Sequence, residues 1–225
     1  MSRVIAIDGP SGAGKSSVSK RVGSELGFLH VDSGALYRIM TWQCLVHQID
    51  TSNPEAVAAF AEKIDVDYTP RDNAVAYYVN GVEPGHAIRT PEINQHASPV
   101  ATVKAVRDRV TGWLRDMTRF GDLIVEGRDI TTAVFPDTPA RFYLVASAEA
   151  RAERRRKEEL EKGIADQSVD AVKQSLLARD AIDSSRKHAP LRKADGVLEI
   201  DSTLMTLDEV VQTVIDALPA EWKTQ

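Results

Sequence analysis

One cysteine, Cys44, occurs in 225 residues. That excludes an internal disulfide and a cysteine-built zinc site, and it suits a reducing compartment. Long apolar runs are also missing, since none approaches the roughly 18 residues that a membrane-spanning helix needs. Only four apolar residues, Val4 to Ile7, precede Asp8, so the expectation is a cytoplasmic chain without a signal peptide. Neither sign of charge dominates. The 28 Lys+Arg against 33 Asp+Glu leave −5, which argues against a surface made to coat nucleic acid. Aromatics are scarce at 6%, and Trp42, Trp113 and Trp222 share no stripe that could stack bases. The histidines (His30, His47, His86, His96 and His188) are dispersed without metal-ligand spacing, which leaves them ordinary packing or surface roles.

What is present is an α/β pattern. Apolar runs of strand length lie at 4–7, 28–31, 123–125, 142–146 and 197–200, continuous enough for parallel strands covered on both faces. Helical periodicity fills the intervals. Val18, Val22 and Leu26 recur ahead of a Gly27 stop. Asn53-Pro54 reads as an N-cap with its first helical residue. Ser98-Pro99 gives the same signal ahead of Val103, Val106, Val110 and Leu114, and Thr206-x-x-Glu209 is a capping box. Strands alternating with helices predict an open, mostly parallel, doubly wound sheet.

Residues 65–89 break the alternation with β-rich stretches around Val66 and Tyr68 and from Val75 to Val79. These lead into Asn80-Gly81, the strongest short hairpin signal. They read as a small antiparallel insert, either an accessory lobe or a surface decoration. The segment 151–162 carries six basic and four acidic residues. With Ser147 as cap, Glu149 in its first turn and Gly163 at its end, it reads as a solvated helix.

Gly9-Pro10-Ser11-Gly12-Ala13-Gly14-Lys15-Ser16 fits the phosphate-loop pattern G-x-x-x-x-G-K-[ST]. Its glycines let consecutive amides converge on an anion, and the helix that follows adds its positive N-terminal end. Lys15 can neutralise outer phosphates and Ser16 can hold magnesium. The strand before and the striped helix after it are the context this chemistry demands. No Asn-Lys pair is present for a guanine-reading N-K-x-D motif, and no L-S-G-G-Q transporter signature occurs. Asp32-Ser33-Gly-Ala-Leu-Tyr-Arg38 and Glu126-Gly-Arg128-Asp129 each follow an apolar run, which in a doubly wound sheet places them on the ligand crevice. Arg38 can fork onto a phosphate, or stay solvated behind an Asp32 or Ser33 cap. Arg179, Asp183 and Arg186 share one helical face. Alone they could be a solvated ion-pair stripe. With arginines at two strand ends, they favour a second anion site beside the nucleotide.

Taken in order, these segments resemble the bacterial cytidylate kinases, a branch of the nucleoside monophosphate kinases. The matching stretches run from Ile5–Lys15 through Asp32–Arg38, Ala97-Ser98, Val106-Arg107, Glu126–Ile130, Val134–Asp137, Arg179-Asp180, Asp183-Ser184 and Arg186 to Asp201–Thr203. The resemblance implies a P-loop fold with a five-stranded parallel sheet, helices on both faces and a small antiparallel insert in the monophosphate-binding lobe. It implies one domain, with core segments 1–34, 98–150 and 190–225, the lobe at 35–97, and a lid with its following helix at 151–189. It further implies transfer of the γ-phosphoryl of ATP to CMP or dCMP with Mg2+, by a monomer. ATP would lie on Gly9 to Ser17 with Arg151 and Arg155 of the lid, and Ser16 would share the metal with the phosphates. Arg38, Arg128 and Arg186 match residues holding the acceptor phosphate. Ser33, Arg107 and Asp129 match those near cytosine, and Ser98, Arg179 and Asp183 those near the sugar. The catalytic set is then Lys15, Arg38, Arg128, Asp129 and Arg186. The chain departs from the family pattern at Thr131, where relatives often have glycine, and at His188-Ala189-Pro190, where a Ser-Pro pairing is common. The rival expectations are a kinase of another small acceptor, such as shikimate or another nucleoside monophosphate, and a switch that holds ATP without transfer.

Overall fold

The computed structural model describes residues 2–161 and 167–223. The first apolar run becomes β1 (Val4–Asp8), and its chain turns through the glycine-rich loop into α1 (Lys15–Leu26), which Gly27 ends in a left-handed conformation. Then follow β2 (Leu29–Asp32), α2 (Ser33–Val46) and α3 (Pro54–Ala61). Asn53 accepts the Glu55 and Ala56 amides as N-cap, ahead of Pro54. After the insert strands β3 (Asp67–Arg71) and β4 (Ala74–Tyr78) come α4 (Pro91–Thr102), α5 (Lys104–Asp116), β5 (Leu123–Gly127), β6 (Ala140–Val145), α6 (Ala148–Glu161), α7 (Val169–Ser185), β7 (Leu198–Asp201) and α8 (Leu207–Asp216). The Thr206/Glu209 capping box opens α8 as expected.

The strands form one sheet in the order β3-β4-β2-β5-β1-β6-β7. β2, β5, β1, β6 and β7 are parallel throughout, the five-stranded core the sequence predicts. The insert hairpin is not detached from it. β3 and β4 pair antiparallel, and β4 joins the edge of β2 at His30 and Ala74, extending the sheet to seven strands. Alternate residues of each strand feed opposite layers, as strand geometry requires. Val4, Ala6, Leu123 and Val125 face the layer built on α2, α4 and α5, where Cys44 is buried. Ile5, Ile7, Ile124, Phe142 and Leu144 face α1 and α8.

Two local expectations need correction. The β3–β4 hairpin turns at Asp72-Asn73, both with positive φ (49° and 58°), while Asn80-Gly81 closes only an isolated bridge between Val79 and Val82. Both dipeptides accept the left-handed backbone that such turns need, and the strand pairing decides between them. Ser98-Pro99 is not a helix start. It lies inside α4, which begins eight residues earlier, where Thr90 accepts the Ile93 amide and Pro91 takes the first turn. α4 ends three residues past Pro99, and α5 opens after an extended Val103, as expected for a proline that contributes no N–H to the ladder. At α6, Ser147 accepts the Ala150 amide as its cap. The Gly163 stop lies outside the described residues. The helix is less solvated than its charge suggests, since Arg151 and Ala152 are buried and it packs along α7.

Candidate active site

The phosphate loop leaves the C-terminal end of β1 with φ of 147° at Gly9, 79° at Gly12 and 95° at Gly14. A Cβ on Gly9 would lie 2.0 Å from the Leu144 carbonyl oxygen, so no larger residue fits between β1 and β6 there. Lys15, buried at the start of α1, curls back to donate to the Gly9 and Pro10 carbonyls at 2.8 Å each. Burial, with Arg128 nearby, pulls its ammonium down to about 7, against the attraction of Glu126, Asp8 and Asp180. The Ser16 hydroxyl donates to Glu126 Oε1. Glu126 sits on β5, the strand beside β1, and the His30 ring nitrogen Nε2 approaches the same oxygen at 3.5 Å.

Two residues from the charged helices roof the loop. Asp180 of α7 accepts the Ser11 amide at 3.0 Å. Arg151 of α6 pairs with Asp180 and donates to the Ser11 carbonyl at 2.9 Å. Gly12 is the residue beneath Arg151, whose Cβ would be 3.1 Å from an added methyl.

Opposite the loop, Asp32 ends β2 and caps α2 by accepting the Ala35 amide at 3.0 Å. It also receives Arg38 at 2.7 Å and Arg89 at 3.4 Å. Capping and crevice placement are therefore not alternatives, because one carboxylate does both. Burial would raise the Asp32 carboxyl, but Arg38, Arg89, His30 and the Ala35 amide together hold it well below the usual carboxylate range. Ser33 donates to the Glu126 carbonyl at 2.6 Å, lacing the start of α2 to β5.

The remaining arginines form a chain with two carboxylates, Asp129 and Asp183. Arg107, buried on α5, pairs with Asp129 and donates to the Ala101 carbonyl at 3.0 Å, with its guanidinium over the Tyr37 ring. Arg186 lies 3.7 Å from Asp129 and 3.5 Å from Asp183, and donates to the Ala189 carbonyl at 2.7 Å. Arg128 donates to Asp183 at 3.1 Å. Arg179 stands half-buried beside them, and desolvation followed by the repulsion of Arg128 lowers its guanidinium to about 10. The arrangement concentrates positive charge in a low-dielectric recess, where it acts on an anion far more strongly than in water.

Both groups open onto one cleft of about 1600 Å³, lined by Ser11 to Ser17 on one side and by Ser33, Arg38, Ser98, Arg128, Asp129, Arg179, Asp183 and Arg186 on the other. Arg155 lines it too, paired with Glu158 and Glu159. Arg151 instead is turned onto Ser11 and Asp180 and does not line the cleft. Arg107 lines a smaller cavity of about 500 Å³ behind Asp129, which reaches both spaces.

Sequence reasoning put Glu126 on the crevice without giving it a role, and it missed Asp180 as a member of the site. A carboxylate closing an apolar run next to the phosphate-loop strand was a readable signal for Glu126. Asp180 reaches its partner Ser11 across 169 positions, which no local spacing encodes. Among the described residues no group of three or more His, Cys, Asp or Glu could hold a metal alone. Ser16 with Glu126 offers a hydroxyl and a carboxylate beside the cradle, hard oxygen donors suited to a small divalent cation that phosphate oxygens also coordinate.

The comparisons agree with this architecture. The family model described as cytidylate kinase matches residues 5–220. A cytidylate kinase of Bacillus cereus (strain G9842) is 37% identical over 211 residues, covering 94% of this chain and 93% of its own. Those of Bacillus thuringiensis (strain Al Hakam) and Bacillus anthracis (strain CDC 684 / NRRL 3495) are each 36% identical with the same coverage.

Proposed function

The chain belongs to the cytidylate kinase family, and from that premise we propose that its cleft seats two nucleotides with their phosphates facing. It is a nucleoside monophosphate kinase that transfers the γ-phosphoryl of ATP to CMP or dCMP, giving CDP or dCDP and ADP. The observation that carries this reading is the single cleft that joins the glycine cradle to Arg38, Arg128, Arg179 and Arg186. A switch that only held ATP would have no use for a second set of phosphate-sized cations.

The donor triphosphate lies on the loop of residues 9–17, with Lys15 leaving the Gly9 and Pro10 carbonyls for its outer phosphates. Arg155 reaches the donor from the lid. Arg151 serves by holding the lid on Ser11. The acceptor phosphate is held by Arg38, Arg128 and Arg186. Asp129, oriented by Arg107, accepts the exocyclic amine of cytosine, and Ser33 adds a polar edge nearby. Ser98, Arg179 and Asp183 line the sugar. The attacking group is already a phosphate oxygen, so no side chain needs to act as base. Alignment, charge neutralisation and exclusion of water carry the rate. Mg2+, held by Ser16 and Glu126 together with the phosphates, supplies charge neutralisation on the transferring group when bound.

We read the chain as one domain with core segments 1–34, 98–150 and 190–225, an acceptor lobe at 35–97 and a lid at 151–189. The boundary at 97/98 falls inside α4, so that helix ties lobe to core. Cys44 as the lone thiol supports a reducing, cytoplasmic setting, and phosphorylation of CMP gives the chain a place in pyrimidine nucleotide metabolism. No helix among the described residues is long and apolar enough to cross a membrane. A monomer with small-molecule nucleotides as its partners, and no nucleic acid, fits a site completed within one chain.

The test is a panel of CMP, dCMP, UMP, AMP and shikimate with magnesium-ATP, scored by ADP release. CMP and dCMP should lead the others by a wide margin. Preference for AMP or shikimate would refute the acceptor, and absence of turnover on all five would leave a nucleotide-binding switch.

A further inference from the structure

Asp8 is fully buried at the last position of β1, one residue before the phosphate loop turns. Its carboxylate points across the sheet to a wide π-helical turn at Ile130–Val134. Oδ1 accepts the Ile130 amide at 2.9 Å. Oδ2 accepts both the amide and the hydroxyl of Thr131, each at 2.7 Å. That turn follows Arg128 and Asp129 without a break. One carboxylate therefore fastens the root of the donor cradle to the root of the acceptor clamp.

The third of these bonds belongs to this chain's own side chain at 131. A glycine there would offer the amide alone. The charged groups around Asp8 come from three elements. Asp129 precedes the turn and repels it, Lys15 lies at the start of α1, and Tyr143 stands opposite it on β6. Burial, the largest influence, pushes the Asp8 carboxyl up to about 6. The Thr131 hydroxyl and amide work against that rise, as does the Ile130 amide.

We propose that Thr131, acting through Asp8, is a positioning residue for phosphoryl transfer: its hydroxyl fixes the spacing between the phosphate loop and the Arg128–Asp129 segment. The inference rests on reading the cleft as a two-nucleotide kinase site. In such a site the donor and acceptor phosphates must meet at about 3–3.5 Å, and a displacement of about 1 Å costs on the order of 10²-fold in rate. An ionised Asp8 accepts all three bonds. Protonation weakens the strut and lets the two roots drift.

Thr131→Val removes the hydroxyl and keeps the shape. Its kcat should fall about tenfold or more, with KM for ATP and CMP changed by less than about twofold, because both phosphate sites survive and only their separation changes. Wild-type kcat should fall as pH drops through about 6, where Asp8 takes up its proton. In Thr131→Val this acid limb should move toward neutral pH, since a bond favouring the charged form is gone. Thr131→Ser should restore both kcat and the limb. Carbon-13 carboxyl NMR of Asp8 reports the same shift without turnover, and circular dichroism melting shows whether each variant is folded. A folded Thr131→Val with wild-type kcat overturns the proposal. So does one whose loss tracks only a lower melting temperature, with the acid limb and the Asp8 titration in place. Wild-type protein that phosphorylates no acceptor overturns the kinase reading itself, an outcome distinct from either.

Discussion

At the scale of single residues, the side chain with most at stake is Lys15. In the free protein its ammonium is spent on two backbone carbonyls, and its burial holds it near neutrality, at about 7. A triphosphate arriving at the loop favours the charged form and raises that value again. At pH 8 much of Lys15 is neutral before ATP binds and charged afterwards, so binding should take up protons. Titration calorimetry at pH 8 in two buffers of different ionisation enthalpy measures that uptake. It should shrink toward pH 6, where Lys15 is already charged, and vanish in Lys15→Ala. The same variant should lose at least about 10² in kcat, because it deletes a cation from the transition-state phosphates. Uptake that persists in the variant would assign the proton to another group. The place of Lys15 on the cleft was readable from the motif, those of Arg38 and Arg128 from their positions just after strands, and that of Arg186 from the helical face it shares with Arg179 and Asp183. Asp8 and Asp180 were not, because each acts through a partner more than a hundred positions away in the chain. Burial alone makes those pairings matter, and burial is a property of the assembled sheet.

At the scale of elements, strands and most helices were legible because apolar period and capping residues agreed with each other. Where two equivalent signals competed, local chemistry could not choose. Thr90-Pro91 and Ser98-Pro99 both look like helix starts, and Asp72-Asn73 and Asn80-Gly81 both accept a tight turn. The pairing of β4 with β2 and the packing of α4 on α2 settle them. At Gly9, just past the end of β1, the backbone passes so near the Leu144 carbonyl of β6 that a Cβ has no room. Gly9→Ala must push those strands apart at the phosphate loop. It should cost about 1–3 kcal/mol or more by overpacking, and weaken ATP binding with it. Gly112 is the counter-case. It lies within α5, and an added methyl there meets nothing within 4 Å. Gly112→Ala should stabilise by up to about 1 kcal/mol on helix propensity alone, leaving turnover unchanged. Paired thermal melts and ATP titrations separate the two. Equal effects from both substitutions would mean that the Gly9 contact does not constrain the loop.

Across the whole molecule, a net charge of −5 coexists with an arginine-rich cleft in which Asp32, Asp129 and Asp183 are each already committed to an arginine. The commitment is incomplete. Nε of Arg38, Nε of Arg179 and Nη2 of Arg186 are buried without a hydrogen-bond partner. Each such group costs about 1–3 kcal/mol while it stays unsatisfied, so the free fold carries a penalty that an acceptor phosphate can relieve. A ligand at 100 times its Kd stabilises the fold by about 2.7 kcal/mol. For a chain of 225 residues each kcal/mol moves the melting temperature by about 2–4 °C. CMP at that level should therefore raise it by roughly 5–10 °C. Cytidine, matched in concentration but lacking the phosphate, should raise it far less, since it leaves the guanidinium groups as they were. A mimic linking adenosine and cytidine through their phosphates should exceed both, because it fills the cradle and the clamp together. Equal shifts from cytidine and CMP would place the recognition in the base alone, and the arginine cluster would then be a scaffold for Asp129 and Asp183 instead of a phosphate clamp.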